Sequence, residues 1–182
     1  MASLPLNLST DRTVLRRLKT SDVEDVLDYA SDVEWARYLP AVPQPYLREH
    51  AEEFIARTIL EDWEAHPTWA IEIQGKVLGG LNLTVELEDR RARLGYGIAR
   101  SHCGRGLVAE AAACVIDAAF NNLEQLIRVY ATADVRNLAS QRVMEKLGMS
   151  REGVHRQDRM SRGALLDSVY YAILRSEWGE RT

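Results

Sequence analysis

The sequence predicts a mixed α/β fold built around one central sheet, and three observations carry that prediction. The first half holds apolar runs separated by turn residues, which read as antiparallel strands preceded by two helices. The second half changes to strand, helix, strand, helix, an order that brings two strands parallel through a helical crossover. Hydrophobic residues form 46% of the 182, enough for a substantial core in one domain spanning residues 1–182.

The elements follow in order. Thr13-Val14-Leu15-Arg16-Arg17-Leu18 predicts a first strand. Ser21-Asp22 starts a helix with Val23, Val26, Leu27 and Ala30 at helical spacing. Pro40, Pro43 and Pro45 make the next segment a rigid loop, and residues 46–63 read as a long helix with Ala51, Phe54, Ile55, Ile59 and Leu60 on one side. Residues 68–73 and 77–87 flank Gln74-Gly75-Lys76 as a hairpin, and residues 91–98 return antiparallel. Residues 107–120 form an alanine-rich helix, 127–133 a β-branched strand, and 138–147 a helix stopped by Gly148. Residues 151–160 and 165–174 close the chain as a hairpin around Ser161-Arg162-Gly163. The strands at 91–98 and 127–133 are joined by a helix and are expected to run parallel.

Composition removes several functions. A net charge of -4 argues against general nucleic-acid binding, because polyanions are held by basic surfaces. Arg90, Arg91 and Arg93 cluster, but Glu86, Glu88 and Asp89 precede them, as on a solvated hairpin tip. No apolar run approaches the roughly 20 residues of a membrane helix, and the N-terminus has no signal-peptide core. Cys103 and Cys114 do not make a disulfide framework and fit a reducing cytoplasm. His50, His66, His102 and His155 lack metal-ligand spacing, so no metal is expected.

The segment from Gly95 to Gly148 carries the chemistry. Gly104 and Gly106 permit a turn that bulky residues would hinder, and a helix starts on it. Free amides in the first helical turn, at the positive end of the helix dipole, suit a phosphate. A plain tight turn before an alanine-rich helix is the competing reading. No Gly-Lys-Ser/Thr follows, so the turn is not a P-loop, and its position does not suit the dinucleotide fingerprint. Cys103 beside a helix N-terminus raises an acyl-cysteine route, which direct reaction of a thioester with an amine makes unnecessary.

Gly95-Tyr96, Gly104-x-Gly106-x-x-x-Glu110-Ala111, Asn137-x-x-Ser140 and Glu145-Lys146-Leu147-Gly148 together resemble the GNAT N-acetyltransferases. Glu152-Gly153 and Asp167, Tyr171, Leu174-Arg175 and Trp178 make the chain similar to the RimJ/RimL branch. The resemblance covers residues 12–178. It implies a central mixed sheet of about seven strands, with central parallel strands that splay, and flanking helices. It implies acetyl-CoA as donor and a primary amine as acceptor, in particular a protein or peptide N-terminal α-amine. A small-molecule amine acceptor and a non-catalytic CoA-binding regulatory module are the alternatives.

Residue by residue, the resemblance assigns the Ile98 amide to the thioester carbonyl and the amides of Gly104, Arg105, Gly106, Leu107, Val108 and Ala109 to the pyrophosphate. Asn137 falls to the pantetheine arm and Ser140 to the CoA sulfur. A helix cap is the other reading of Asn137 and Ser140. Ser101 stands where the family commonly has Gln or Arg, so Arg100 or Arg105 is expected to add charge. Arg93 stands where the branch often has a carboxylate, which argues against a general base there and leaves Asp158 as the candidate. Arg91, Arg93, Arg156 and Arg159 are expected on the acceptor side and disfavour a polycationic acceptor. Many members of the family are dimers, so a homodimer is the assembly implied.

Overall fold

The computed structural model describes residues 3–180. Strands β1 (Leu8–Ser9) and β2 (Val14–Arg16) lead to a 3-10 turn at Thr20–Asp22, then helices α1 (Val23–Ala30) and α2 (Arg48–Leu60). Strands β3 (Thr68–Ile73), β4 (Lys76–Glu86) and β5 (Arg91–Ile98) form a meander. Helix α3 (Leu107–Asn122), strand β6 (Arg128–Asp134) and helix α4 (Leu138–Lys146) follow. Strands β7 (Ser150–Ser161) and β8 (Ala164–Leu174) and helix α5 (Arg175–Gly179) complete the described chain. One mixed sheet of eight strands runs in the order β1-β2-β3-β4-β5-β6-β8-β7. The strand beyond the expected seven is the two-residue β1, too short to leave a periodic signal.

Three boundaries differ from expectation for local reasons. The first strand stops at Arg16 because Asp22 turns the chain, accepting the Lys19 N–H at 2.7 Å and Arg16 Nη1 at 2.8 Å. Helix α2 starts at Arg48 rather than residue 46, since Leu47 is extended and donates its N–H to His50 Nδ1. It ends before Trp63, whose indole instead donates to the Leu4 carbonyl.

The two faces of the sheet are covered unequally. On one face, α3 and α4 pack over Leu15, Ile71, Leu83, Leu94, Val129 and Ile173. Ala111, Ala112 and Ala119 are fully buried, so α3 lies close to the strands. On the other face, α1 and α2 pack over Ala70, Val77 and Ala99, at the β3–β4 half.

The parallel pair expected in the centre is present, and it opens. β5 and β6 are in register only at Arg91–Arg128, Ala92–Val129 and Arg93–Tyr130. Beyond Arg93, β5 stays paired with β4, and β6 with β8, so the two strands part toward their C-terminal ends. Glycines shape the upper end of β5. A Cβ on Gly79 of β4 would collide with the Gly97 carbonyl and lie 2.8 Å from Ile98 Cα. Gly79→Ala is therefore expected to lift β4 off the end of β5 and to cost about 1–3 kcal/mol. Chemical denaturation checks this, and unchanged stability would show that the close approach is dispensable.

Candidate functional site

Alternation along β5 divides the site. Gly95 and Gly97 face the α1–α2 side, where Asn82 and the Trp35 indole lie directly against the strand because no side chain intervenes. Tyr96 faces the opposite side and packs among Ile98, Leu107, Val108 and Val143. Its hydroxyl donates to the Ser140 carbonyl at 3.0 Å and lies 2.8 Å from Ser140 Oγ. Ser140 in turn donates its N–H to Asn137 Oδ1 at 3.1 Å, so Asn137 is the N-cap of α4. The structure thus joins Asn137, Ser140 and Tyr96 across the gap between the parted strands. Sequence reasoning named the first two and passed over Tyr96, although its place between two glycines was a signal.

The Ile98 peptide unit faces the same gap. Ala99 donates to the Leu78 carbonyl at 2.6 Å, so by strand alternation the Ile98 N–H and C=O turn away from β4. The Ile98 carbonyl accepts from Trp35 Nε1 at 2.9 Å. Cys103 Sγ sits 3.8 Å from the same oxygen, and burial pushes its thiol pKa up against the pull of Arg100.

Gly104 and Gly106 adopt φ of +77° and +79°, in the region where a side chain is strained, and Gly106 caps α3 without a side-chain bond. The first ladder bond runs from the Glu110 N–H to the Gly106 carbonyl, so the Leu107, Val108 and Ala109 amides precede the helical ladder. A methyl on Gly106 would lie 3.7 Å from Arg12 Nη2 and 3.9 Å from Lys146 Nζ. Arg12 is fixed there by donating to Glu110 Oε2 at 2.7 Å and to the Arg105 carbonyl at 3.0 Å. Thr10 and Arg12 hold the Glu110 carboxyl below the usual range. These cations were missed because 98 residues separate Arg12 from Glu110. Arg100, expected to supply charge, is instead paired with Asp32 at 3.2 Å. The exposed side chain of Arg105 makes no ion pair among the described residues.

Asp158 is not joined to this cluster by any hydrogen bond. It lines an open cleft of about 640 Å³ over β5, β6 and β8, with Arg93, Tyr130, His155, Arg159 and Tyr170. The Tyr170 hydroxyl donates to Asp158 at 3.3 Å, and the His155 ring stacks on Tyr170 with centroids 4.0 Å apart. β7 loses its regular register to β8 between His155 and Arg159, and Gln157 has φ +51°. That irregularity lets the consecutive residues Asp158 and Arg159 both line the cleft. Arg156, expected beside them, lies with Gln157 and Asp167 outside it. At the hairpin tip, Arg162 Nη2 reaches the Ala36 carbonyl at 3.0 Å and ties β7–β8 to the loop after α1. Among the described residues, no group of three or more His, Cys, Asp or Glu is placed to hold a metal, and no helix is long and apolar enough to cross a membrane.

A sequence model described as an acetyltransferase (GNAT) domain matches residues 12–150. The uncharacterized N-acetyltransferase p20 of Bacillus licheniformis is 27% identical over 175 residues, covering 94% of this chain and 97% of that protein. The crystal structure of a GNAT-family acetyltransferase from Bacillus anthracis superposes with a TM-score of 0.83 at 25% identity, covering 94% of this chain and 99% of that one. RimL, a ribosomal L7/L12 α-N-protein acetyltransferase solved with coenzyme A, shares the fold with a TM-score of 0.81 at 19% identity, covering 94% and 97%.

Burial pushes the Tyr96 phenol up to about 12, against the opposing effect of its bond with Ser140. An unfolded tyrosine ionises near ~10. A raised folded value means that the stability linked to the neutral phenol is complete below about pH 10 and lost as pH rises toward 12. Between those values, Tyr96→Phe is expected to lose stability less steeply than wild type in denaturant titrations. Parallel curves would show that Tyr96 ionises as freely in the folded chain as in the unfolded one.

Proposed function

The chain belongs to the GNAT acetyltransferase family, and we propose that it transfers the acetyl group of acetyl-CoA to the N-terminal α-amine of a protein or peptide. The observation that carries this reading is the opened β5–β6 pair, with a backbone amide on one bank and a hydroxyl pair bridging the gap. The residues fit the donor. The positive-φ turn at Gly104–Gly106 and the Leu107, Val108 and Ala109 amides cradle its pyrophosphate, and Arg12, Lys146 and Arg105 add charge. The Asn137 side-chain NH₂ donates to the pantetheine arm. All of 1–182 serves as one acetyltransferase domain in this reading.

Transfer is direct. The amine nitrogen bonds to the thioester carbonyl carbon while the Ile98 N–H stabilises the developing oxyanion, and the C–S bond then breaks. Ser140 donates a hydrogen bond or proton to the leaving sulfur. The phenol of Tyr96 has one proton. While it rests on the Ser140 carbonyl, the serine hydroxyl donates to Tyr96; when it turns to Oγ, the serine proton is released toward sulfur. Asp158, in the cleft on the acceptor side, takes the proton lost by the amine.

Proton chemistry favours an α-amine. Its pKa is near ~8 and that of a thiol near ~8.5, whereas a lysine amine near ~10.4 needs a stronger base or desolvation. RimL, which shares the fold, is named for α-amine acetylation. Membership of an acetyltransferase family favours an enzyme over a regulatory CoA-binding module.

Ser140→Ala is expected to lower kcat about ten- to a thousandfold with little change in acetyl-CoA affinity. Tyr96→Phe should reproduce part of that loss, and normal turnover in Ser140→Ala would reduce the residue to a helix-turn role. In a competition read by mass spectrometry at pH 7.5, peptides with a free N-terminal Ser or Ala should be acetylated faster than N-blocked peptides carrying only lysine. Exclusive lysine modification would overturn the α-amine assignment.

A further inference from the structure

Four arginines and only two carboxylates line the cleft on the acceptor side. The four are not equivalent. Arg91 is held by Glu86 and Asp89, and Arg128 is held by Glu152. Arg93 and Arg159 form no ion pair with any carboxylate among the described residues, and Arg159 Nε is buried with no hydrogen-bond partner. A chain whose net charge is -4 therefore keeps two uncommitted guanidinium groups in one concave site. An Nε–H buried without a partner loses hydration that an anion or another acceptor entering the cleft can replace. The remaining carboxylate, Asp158, lies beside Tyr170 and offers the same cleft one negative point.

We infer that this cleft selects an acidic peptide N-terminus: an α-ammonium that enters toward Asp158, followed by carboxylates that meet Arg159 and Arg93. The inference rests on the α-amine reading and adds the charge of the residues that follow the amine. Distance sets their positions. Arg93 precedes Ile98 by five residues along β5, about 16 Å at ~3.3 Å per residue. An extended peptide with its amine near Ile98 rises by nearly the same amount per residue, so Arg93 faces its fourth to sixth residue. Arg159 acts closer to the amine, because it pairs with Leu166 on β8, two residues from Ser168, which pairs with Asp134 at the C-terminal end of β6. Guanidinium suits this task, since its planar fork matches a carboxylate in two directions.

The test uses three hexapeptides beginning with Ser, carrying Glu, Gln or Lys at positions 2 and 5, with thiol release followed at two salt concentrations. The Glu peptide should exceed the Gln peptide about ten- to a hundredfold in kcat/KM, the Lys peptide should be poorest, and added salt should narrow the gap. Arg93→Gln and Arg159→Gln should each shrink the Glu-to-Gln ratio, and Arg93→Glu should move the preference toward the Lys peptide. Glu and Gln peptides within twofold of each other, at both salts, would overturn the charge preference while leaving the α-amine reading intact. Refusal of all three peptides, with acetylation of small amines instead, would overturn the α-amine reading and the peptide proposal together. A ratio that survives in both arginine variants would also overturn it.

Discussion

Two parallel strands that share three register pairs and then part leave backbone groups on each facing edge without strand partners, and most of the site follows from how that gap is managed. Each strand is anchored on its outer side, β5 by the β4 hairpin and β6 by β8, so the opening does not cost the sheet its continuity. Across the gap, the Tyr96 hydroxyl meets Ser140 on α4. Trp35 closes over the end of β5 by donating to the Ile98 carbonyl. The Ile98 peptide unit is held in place by neighbours on both sides while its edge remains directed into the opening. A continuous ladder would have consumed the same groups.

The two sides of the sheet then carry different chemistry. The α3–α4 side offers amides and converging cations at a glycine turn, with strain that only glycine tolerates at low cost. The α1–α2 side holds aromatic rings, arginines and two carboxylates in a cleft beside the part of the sheet those helices do not cover. The two chemistries thus lie on opposite faces of the sheet, on either side of the divergence.

Much of the architecture was legible in the sequence because it rests on short-range signals. Glycines at 95, 104, 106 and 148, the Asn137 cap and the alanine-rich helix are local, and the meander-to-crossover change in period predicts the parallel pair. Features made by long-range contact were not. Arg12 reaches Glu110 and Arg105 from the bend between β1 and β2, and Arg162 reaches Ala36 across 126 positions, with no pattern in sequence to announce either. Arg100 was misread for the same reason, because its partner Asp32 lies 68 residues away. The irregular pairing of β7 separates two arginines expected on the same side, keeping Arg159 in the cleft and sending Arg156 out of it.

The order of strands has a consequence for a chain made from one end. β8 lies inside the sheet between β6 and β7, although it follows both in the chain. Until it emerges, β6 has a short parallel contact on one side and an unpaired edge on the other. The glycine turn and its Arg12 clasp lie within the first two-thirds of the chain, but α3 is completed late: it packs on Ile173 of β8, and Arg175 donates to the Leu123 carbonyl at its C-terminal end. The clasp can thus form during synthesis, while the packing of α3 and the arginine-lined cleft both wait for the final hairpin. In that interval the open edge of β6 is the segment most exposed to pairing with another nascent chain, and premature termination within β8 would leave it in that state.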